Sequence, residues 1–265
     1  MLQRPLSAFL SVLFLLATLS ISDIALANIN SLESAINKAG RQRMLTQRIV
    51  ATYAQVGMDI QTKKSKKQLK NAIDLFEEQL VELKHYRDSG KINQQLSKVT
   101  QHWQQMKKIA SIPVNRDQAA ELRDLAEETL RASHKVVIML QDQSSNMTGR
   151  LVNISGRQRM LSQRMSNLYM LQAWNFTSSE YTSDYSTAIN EFKGALVELR
   201  SSKHNTKEIN RLLNKVRIEF SMLEKSLQQK DGEFIPLMVK LSADKLLIKM
   251  NTITQLYEEL PELVE

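Results

Sequence analysis

Cysteine is absent from the sequence, and glycine, proline and aromatic residues are sparse. None of the 265 residues is cysteine, which excludes disulfide bonds, cysteine-ligated zinc and a thiol nucleophile. The chain has 7 glycines and 4 prolines, and its aromatic content is 6%. This composition is typical of a helical globular protein rather than of a β-sheet protein or a disordered chain.

Residue patterns for metal binding and catalysis are absent as well. The four histidines are widely separated, and none stands in an HExxH motif or pairs with a glutamate at the spacing of a metal site. The sequence also contains no CxxCH haem motif, no glycine-rich phosphate loop and no nucleophile–base pair. We therefore expect no cofactor, no metal and no enzymatic activity.

The one long apolar run lies at the N-terminus. Arg4 precedes a nearly continuous apolar stretch at residues 6–19, and an A-x-A cleavage site follows at 25–27. Asp23 and the shortness of the run argue against a membrane-spanning anchor. We therefore predict a cleaved signal peptide at 1–27 and a mature protein that is exported to the periplasm.

Positive charge exceeds negative charge in this chain. Lysine and arginine together number 36 and the acidic residues 28, for a formal net charge of +8. Because an exported protein does not meet nucleic acid in the cytoplasm, we do not expect a nucleic-acid partner. The charge instead indicates small anions, acidic proteins or anionic lipid surfaces as partners.

The sequence contains an internal repeat. The decapeptide AGRQRMLTQR at 39–48 returns as SGRQRMLSQR at 155–164, an offset of 116 residues. Later segments repeat at the same offset or at one residue more, such as AIDLFEEQLVEL over AINEFKGALVEL. The chain is therefore predicted to be two copies of one module, at 28–146 and 147–265.

Each module is predicted to fold as four helices. In the first module, residues 29–60 contain no proline and many good helix formers. The next helix places Ile73, Phe76, Leu80 and Leu83 in one apolar stripe. Because the connections are short, we expect an all-α protein of two tandem four-helix up-down bundles.

The segment QSSNMTG at 143–149 joins the two modules and leaves two arrangements open. If it forms a turn, the first helix of the second module starts beside the first helix of the chain and runs parallel to it. If the helix continues instead, the bundles stack end to end and the two decapeptides lie far apart.

The first helix has two faces that require burial. On a helical wheel over residues 29–60, Leu45 and Ile49 lie on one side, whereas Arg43 and Gln47 lie roughly opposite. The equivalent helix of the second module repeats this arrangement. The two arginine-bearing faces are therefore expected to pack against each other around a pseudo-two-fold axis.

Such a seam would bring Arg43 and Arg159 together. Two unpaired guanidinium groups repel each other and are unfavourable when buried, so an anion between them would be stabilising. Guanidinium is a planar fork that suits flat oxyanions, and Gln47 and Gln163 offer neutral donors. Charge alone leaves open whether the anion is nitrate or a dicarboxylate.

A glycine stands inside each of these helices, at Gly40 and Gly156. Each disfavours the helix by about 1 kcal/mol relative to alanine. Either a kink or close helix packing would explain their presence, and the alternative is a role in the site.

The repeated segments resemble a known motif. NKAGRQRMLTQR at 37–48 and NISGRQRMLSQR at 153–164 resemble the P-box of periplasmic nitrate/nitrite sensor kinases. They resemble still more closely the start of the PilJ-type domain, the N-terminal domain of type IV pilus chemotaxis transducers. The shared pattern is N-x-x-G-x-x-R-M-x-x-x-R. Arg41 and Arg157 depart from the nitrate sensors, which have a small residue at that position.

The resemblance implies roles for particular residues. In the nitrate sensors the P-box helices of two subunits face each other, and the arginine before the methionine binds the anion. That role falls here on Arg43 and Arg159, with Arg48 and Arg164 in support. The resemblance therefore implies a small anion as ligand, nitrate, nitrite or another oxyanion.

Sensor kinases and transducers continue into a membrane helix and signalling domains, whereas this sequence shows neither. We therefore expect a sensory module that is read by an inner-membrane receptor, sensor kinase or transducer; a homodimer would add copies of the site. The alternative is a helical scaffold or adaptor of a sensory or type IV pilus system. In that case acids such as Glu33 or Asp59 would cap the arginines, or the arginines would face solvent.

Overall fold

The computed structural model describes residues 29–86, 90–144, 146–227 and 234–261. The signal peptide predicted at 1–27 lies outside the described residues. Within them there is no β-strand, and none of the helices has the length and apolar character that a bilayer span requires.

The described residues form eight α-helices, four in each module, which confirms the predicted all-α tandem architecture. A single 3₁₀ turn precedes the fourth helix. The helices are α1 Leu32–Gly57, α2 Thr62–His85, α3 Gly90–Ala110, α4 Ala119–Ser144, α5 Met147–Ala173, α6 Ser179–Ser201, α7 Lys207–Leu227 and α8 Pro236–Glu258.

The helices form two bundles that lie side by side. In the first, α1 packs against α2 and α4, and α3 packs against α4. The second repeats this with α5 against α6 and α8, and α7 against α8. The most extensive contact in the molecule joins α1 to α5, so the first helix of each module is also the interface between the modules.

Helices α1 and α5 run parallel, which is the first of the two arrangements left open by the sequence. At the start, the side-chain amide of Asn146 donates to Glu33 at 3.2 Å. At the far end, Trp174 lies against Tyr53 with 6.5 Å between ring centroids. Helix α4 ends at Ser144 and α5 begins at Met147, both within the segment 143–149 that was predicted to join the modules.

Stacked aromatic rings occupy equivalent positions in the two cores. Phe76 and Trp103 stack with 3.9 Å between ring centroids, and Phe192 and Phe220 stack at 4.4 Å. Phe192 follows Phe76 by the repeat offset, and Phe220 follows Trp103 at the offset one residue longer. The packing of the second and third helices onto the core is therefore conserved between the modules.

Side-chain caps fix where several helices begin. Ser31 accepts a hydrogen bond from the backbone N–H of Ser34 at 3.0 Å, and Asn146 accepts one from Gly149 at 2.8 Å. Such caps satisfy backbone donors that lack a partner within the helix. The cap at Asn146 therefore sets the first turn of α5, and with it the register of α5 against α1.

Gly57 allows the far ends of the modules to approach closely. A Cβ at this position would lie 2.1 Å from Cζ2 of Trp174. We therefore expect Gly57→Ala to lower the free energy of unfolding by about 1–3 kcal/mol, because the ring must move. Chemical denaturation of the purified protein measures this change.

Gly194 provides the control for this prediction. It is exposed within α6, and a Cβ there would meet nothing within 4 Å. Gly194→Ala should therefore raise the free energy of unfolding by up to about 1 kcal/mol through helix propensity. Equal effects of the two substitutions would contradict the packing of Trp174 on Gly57.

Candidate functional site

Arg43 and Arg159 lie in the middle of the α1–α5 interface and are 1% and 0% exposed. Their guanidinium groups converge on the two helix glycines. From a Cβ built on Gly40, Nη2 of Arg43 would be 3.3 Å away and Nη2 of Arg159 3.7 Å; from one on Gly156 the distances are 3.8 and 3.1 Å. The glycines thus leave the space in which both guanidinium groups meet.

Neutral groups hold both arginines. Nη2 of Arg43 donates to Oδ1 of Asn153 at 2.8 Å, and Nη1 lies 3.1 Å from Nδ1 of His134. Arg159 donates to Oδ1 of Asn251 at 3.1 Å and to the backbone carbonyl of Asn37 at 3.2 Å. These contacts orient the guanidinium groups without neutralising them.

No carboxylate of the described residues forms an ion pair with either arginine, and Nε of each is buried without an acceptor. The acids considered as caps are engaged elsewhere. Glu33 accepts from Asn146 and Ser144, and Asp59 accepts from Thr62. The site is therefore a buried pair of like charges.

Burial dominates the electrostatics of the pair. It lowers the pKa of Arg43 to about 9, with a smaller contribution from Arg157. Burial likewise lowers the pKa of Arg159 well below its ordinary value, helped by Arg41 and Arg43 and opposed by Glu258. Both shifts mean that the charged forms of the two arginines are unfavourable in this environment. A bound anion would offset the free-energy cost of burying these charges.

His134 is held in its neutral form beside Arg43. Burial, followed by the charges of Arg43 and Arg157, lowers its pKa to about 4, whereas Glu191 acts in the opposite direction. A neutral imidazole accepts a hydrogen bond at one nitrogen. Nδ1 of His134 is therefore the acceptor for Arg43 at neutral pH.

A small cavity of about 150 Å³ reaches Arg43 from outside. We call it the α4–α6 cleft, because it opens between those two helices beside α5. His134 lies on its α4 side and Arg157 on its α5 side. Arg43 lines this cavity, whereas Arg159 does not.

The two glutamines are engaged in hydrogen bonds below the arginine pair. The amide nitrogen of Gln47 donates to Glu127 at 3.0 Å, and its oxygen accepts from Asn167 at 2.9 Å. Gln163 donates to the carbonyl of Ala243 at 3.3 Å and accepts from Arg48. The structure therefore places both glutamines between the modules, with their amides already partnered.

Arg48 and Arg164 form ion pairs that cross between the modules. Arg48 on α1 contacts Asp244 on α8 at 3.0 Å, and Arg164 on α5 contacts Glu127 on α4 at 3.1 Å. Arg164 also contacts Asp184 at 3.2 Å. These two arginines connect each first helix to the fourth helix of the other module, and Arg164 also lines a cavity that contains Arg43.

Sequence reasoning missed several residues of this site. Asn37 and Asn153 belong to the repeated motif but were given no role. His134 and Asn251 fall on the same position of the repeat, as do Glu127 and Asp244. This equivalence was the available sequence signal, because polar residues at the same positions of both fourth helices indicate contact with the repeated arginines.

The described residues contain no group of three or more His, Cys, Asp or Glu side chains that could hold a metal ion. Comparison with curated proteins found no match, and comparison with solved structures found none. The family profile described as the N-terminal domain of type IV pili methyl-accepting chemotaxis transducers, PilJ, matches residues 24–129 and 141–233. These matches cover most of the chain and fall once in each module, so the chain belongs to the PilJ family and carries its domain in two tandem copies.

Proposed function

We propose that this PilJ-family protein is a periplasmic sensory module that binds one small oxyanion, such as nitrate or nitrite, between Arg43 and Arg159. The observation that carries the proposal is the meeting of two buried guanidinium groups with no carboxylate partner among the described residues. Both still have an Nε–H without an acceptor. A planar oxyanion matches these donors in charge and geometry.

Binding would act on the distance between α1 and α5. Without ligand, repulsion between the guanidinium groups opposes close approach of the two helices. An anion between them removes that repulsion and favours a closer packing. Because Arg48 and Arg164 connect α1 and α5 to the fourth helices, the change would reach the outer parts of both bundles.

The downstream partner is proposed from the family. PilJ domains are the N-terminal part of chemotaxis transducers, so the change in helix spacing is proposed to be read by an inner-membrane receptor, sensor kinase or transducer. Receptor captured by crosslinking in the presence of the anion, and not in its absence, would support this step.

A helical scaffold or adaptor is the second candidate function. The observation that favours it is the pair of ion pairs between the modules, Arg48–Asp244 and Arg164–Glu127. Half of the arginines that were expected to serve the ligand are thus engaged in holding the modules together. In this alternative Arg43 and Arg159 contribute only to helix packing.

Thermal unfolding with nitrate, nitrite, sulfate and chloride at equal ionic strength tests the anion site. One oxyanion is expected to raise the midpoint selectively, because a ligand at a hundred times its dissociation constant adds about 2.7 kcal/mol. For a chain of this size that is a rise of several degrees. Arg43→Lys, which keeps the charge but loses the planar fork, and Arg159→Met should abolish the rise.

Arg217→Met is the control, since it removes one exposed positive charge from α7. It should leave the ion-dependent rise unchanged. If every ion gives the same rise, or if the site variants respond as the unmodified protein does, the scaffold becomes the better explanation.

His134 should impose a pH dependence on stability. Its pKa in the folded protein is about 4, below the ordinary 6.5, so the unfolded chain binds the proton more readily. This contribution to stability is fully present above pH 6.5 and is lost as pH falls toward 4. His134→Asn, which installs the residue found at Asn251, should therefore show a smaller loss of stability over that range.

Denaturation midpoints at pH 6.5, 5.5 and 4.5 for the unmodified protein and for His134→Asn measure this difference. His85→Asn serves as the control, because His85 is exposed on α2. Parallel pH profiles for His134→Asn and the unmodified protein would show that His134 is not held neutral.

A further inference from the structure

The interface between the modules contains a second cleft, related to the α4–α6 cleft by the internal repeat. We call it the α2–α8 cleft. It lies between α1 and α2 of the first module and α8 of the second, and its volume is about 670 Å³. Arg41, Leu75 and Asn251 line it, at the positions that Arg157, Glu191 and His134 hold in the α4–α6 cleft.

Acidic residues of α6 pair with two of the arginines that line the α4–α6 cleft. Glu191 pairs with Arg157 at 2.9 Å, and Asp184 pairs with Arg164 at 3.2 Å. One turn earlier, Glu180 pairs with Arg123 at 3.0 Å. Apart from Arg43, the arginines that line this cleft, Arg157 and Arg164, therefore have carboxylate partners from the same protein.

The corresponding positions on α2 carry no acid. Lys64, Gln68 and Leu75 stand where α6 has Glu180, Asp184 and Glu191. As a result, the guanidinium group of Arg41 has no ion pair among the described residues, and its Nε is buried without an acceptor. Arg157, its counterpart, has Glu191.

The α2–α8 cleft therefore has an excess of positive charge. Asp244 is its one carboxylate among the described lining residues. That carboxylate is shared between Arg48 at 3.0 Å and Lys240 at 3.6 Å. Arg41 is attracted by Glu258 and Glu82, which lie outside the cleft lining and form no ion pair with it, and the exposed Lys64 has no ion pair among the described residues.

The walls of the same cleft are apolar where those of its counterpart are charged. Leu75 replaces Glu191 of the α4–α6 cleft, and Ile248 replaces Arg131, which lies on α4 outside that cleft. Ile248, which is 65% exposed, and the half-buried Leu75 both line the cleft. An apolar surface next to an unpaired guanidinium group is complementary to a molecule with an apolar body and an anionic end.

We propose that the α2–α8 cleft binds an organic anion whose carboxylate pairs with Arg41 and whose aliphatic chain lies along Leu75 and Ile248. This site is separate from the oxyanion site and does not depend on it. The two sites touch at Asn251, which lines the cleft and also accepts from Arg159 at 3.1 Å. The organic anion therefore contacts a residue that orients the oxyanion site.

Calorimetric titration with butyrate, hexanoate and octanoate tests the proposal, with octanol as the uncharged probe. Affinity should rise about fourfold for each methylene group that becomes buried. Octanol should bind more weakly than octanoate by about tenfold or more, because it lacks the charge-assisted hydrogen bonds to Arg41.

Two variants locate the binding. Leu75→Glu gives Arg41 the carboxylate partner that Arg157 has in the other module. Because an Arg–Glu pair fits the same helix geometry there, the variant should fold. Its affinity for octanoate should fall about tenfold or more. Arg41→Met, which removes the cation, should have the same effect. Arg217→Met removes an exposed cation of α7, which does not line the cleft, and should leave octanoate binding unchanged.

The proposal is overturned if no carboxylate binds, if affinity does not depend on chain length, if octanol binds as well as octanoate, or if both cleft variants bind as the unmodified protein does. A parallel titration with nitrate on Arg41→Met separates the two sites. Retained nitrate binding with lost octanoate binding supports two sites, whereas joint loss of both overturns the separate cleft. Octanoate binding without any nitrate binding contradicts only the oxyanion site.

Discussion

The burial of two positive charges between α1 and α5 governs the organisation of this protein. Arg43 and Arg159 have almost no exposed surface, and no carboxylate of the described residues pairs with them. Guanidinium groups in such a place require close, oriented neutral partners, and two glycines must leave space for them. The parallel register of α1 and α5, set at the N-terminal turn of α5, brings all of these groups into one layer. The two bundles are therefore parts of one site.

Duplication within one chain lets the two halves of this interface diverge. In a symmetric dimer, every contact across the axis occurs twice with identical residues. Here Arg43 is held by His134, which is neutral but titratable, whereas Arg159 is held by Asn251, which is not. The flanking clefts differ further, because acids on α6 are replaced on α2 by Lys64, Gln68 and Leu75. The two clefts that flank the layer of Arg43 and Arg159 therefore differ in charge and polarity within one chain.

The sequence predicted the fold more completely than the site. Helical periodicity located the helices, and the two buried faces of α1 predicted that Arg43 would meet Arg159. Periodicity does not say which helix of the other module lies across from a given side chain, so the ion pairs of Arg48 and Arg164 with the fourth helices were missed. Those ion pairs depend on how closely the bundles approach. The one sequence signal for these ion pairs was that Glu127 and Asp244 occupy equivalent positions in the two fourth helices.

The ion pairs and the unpaired arginines have opposite effects on the same interface. Arg48–Asp244 and Arg164–Glu127 attract across the seam, whereas Arg43 and Arg159 repel within it. Under the proposed function, a ligand that neutralises the repulsion would favour a closer packing of this interface. Acids beside Arg43 and Arg159 would neutralise the repulsion permanently and would remove the proposed role of an anion at this layer. The absence of acidic partners at this layer among the described residues therefore favours a responsive interface over a purely structural one.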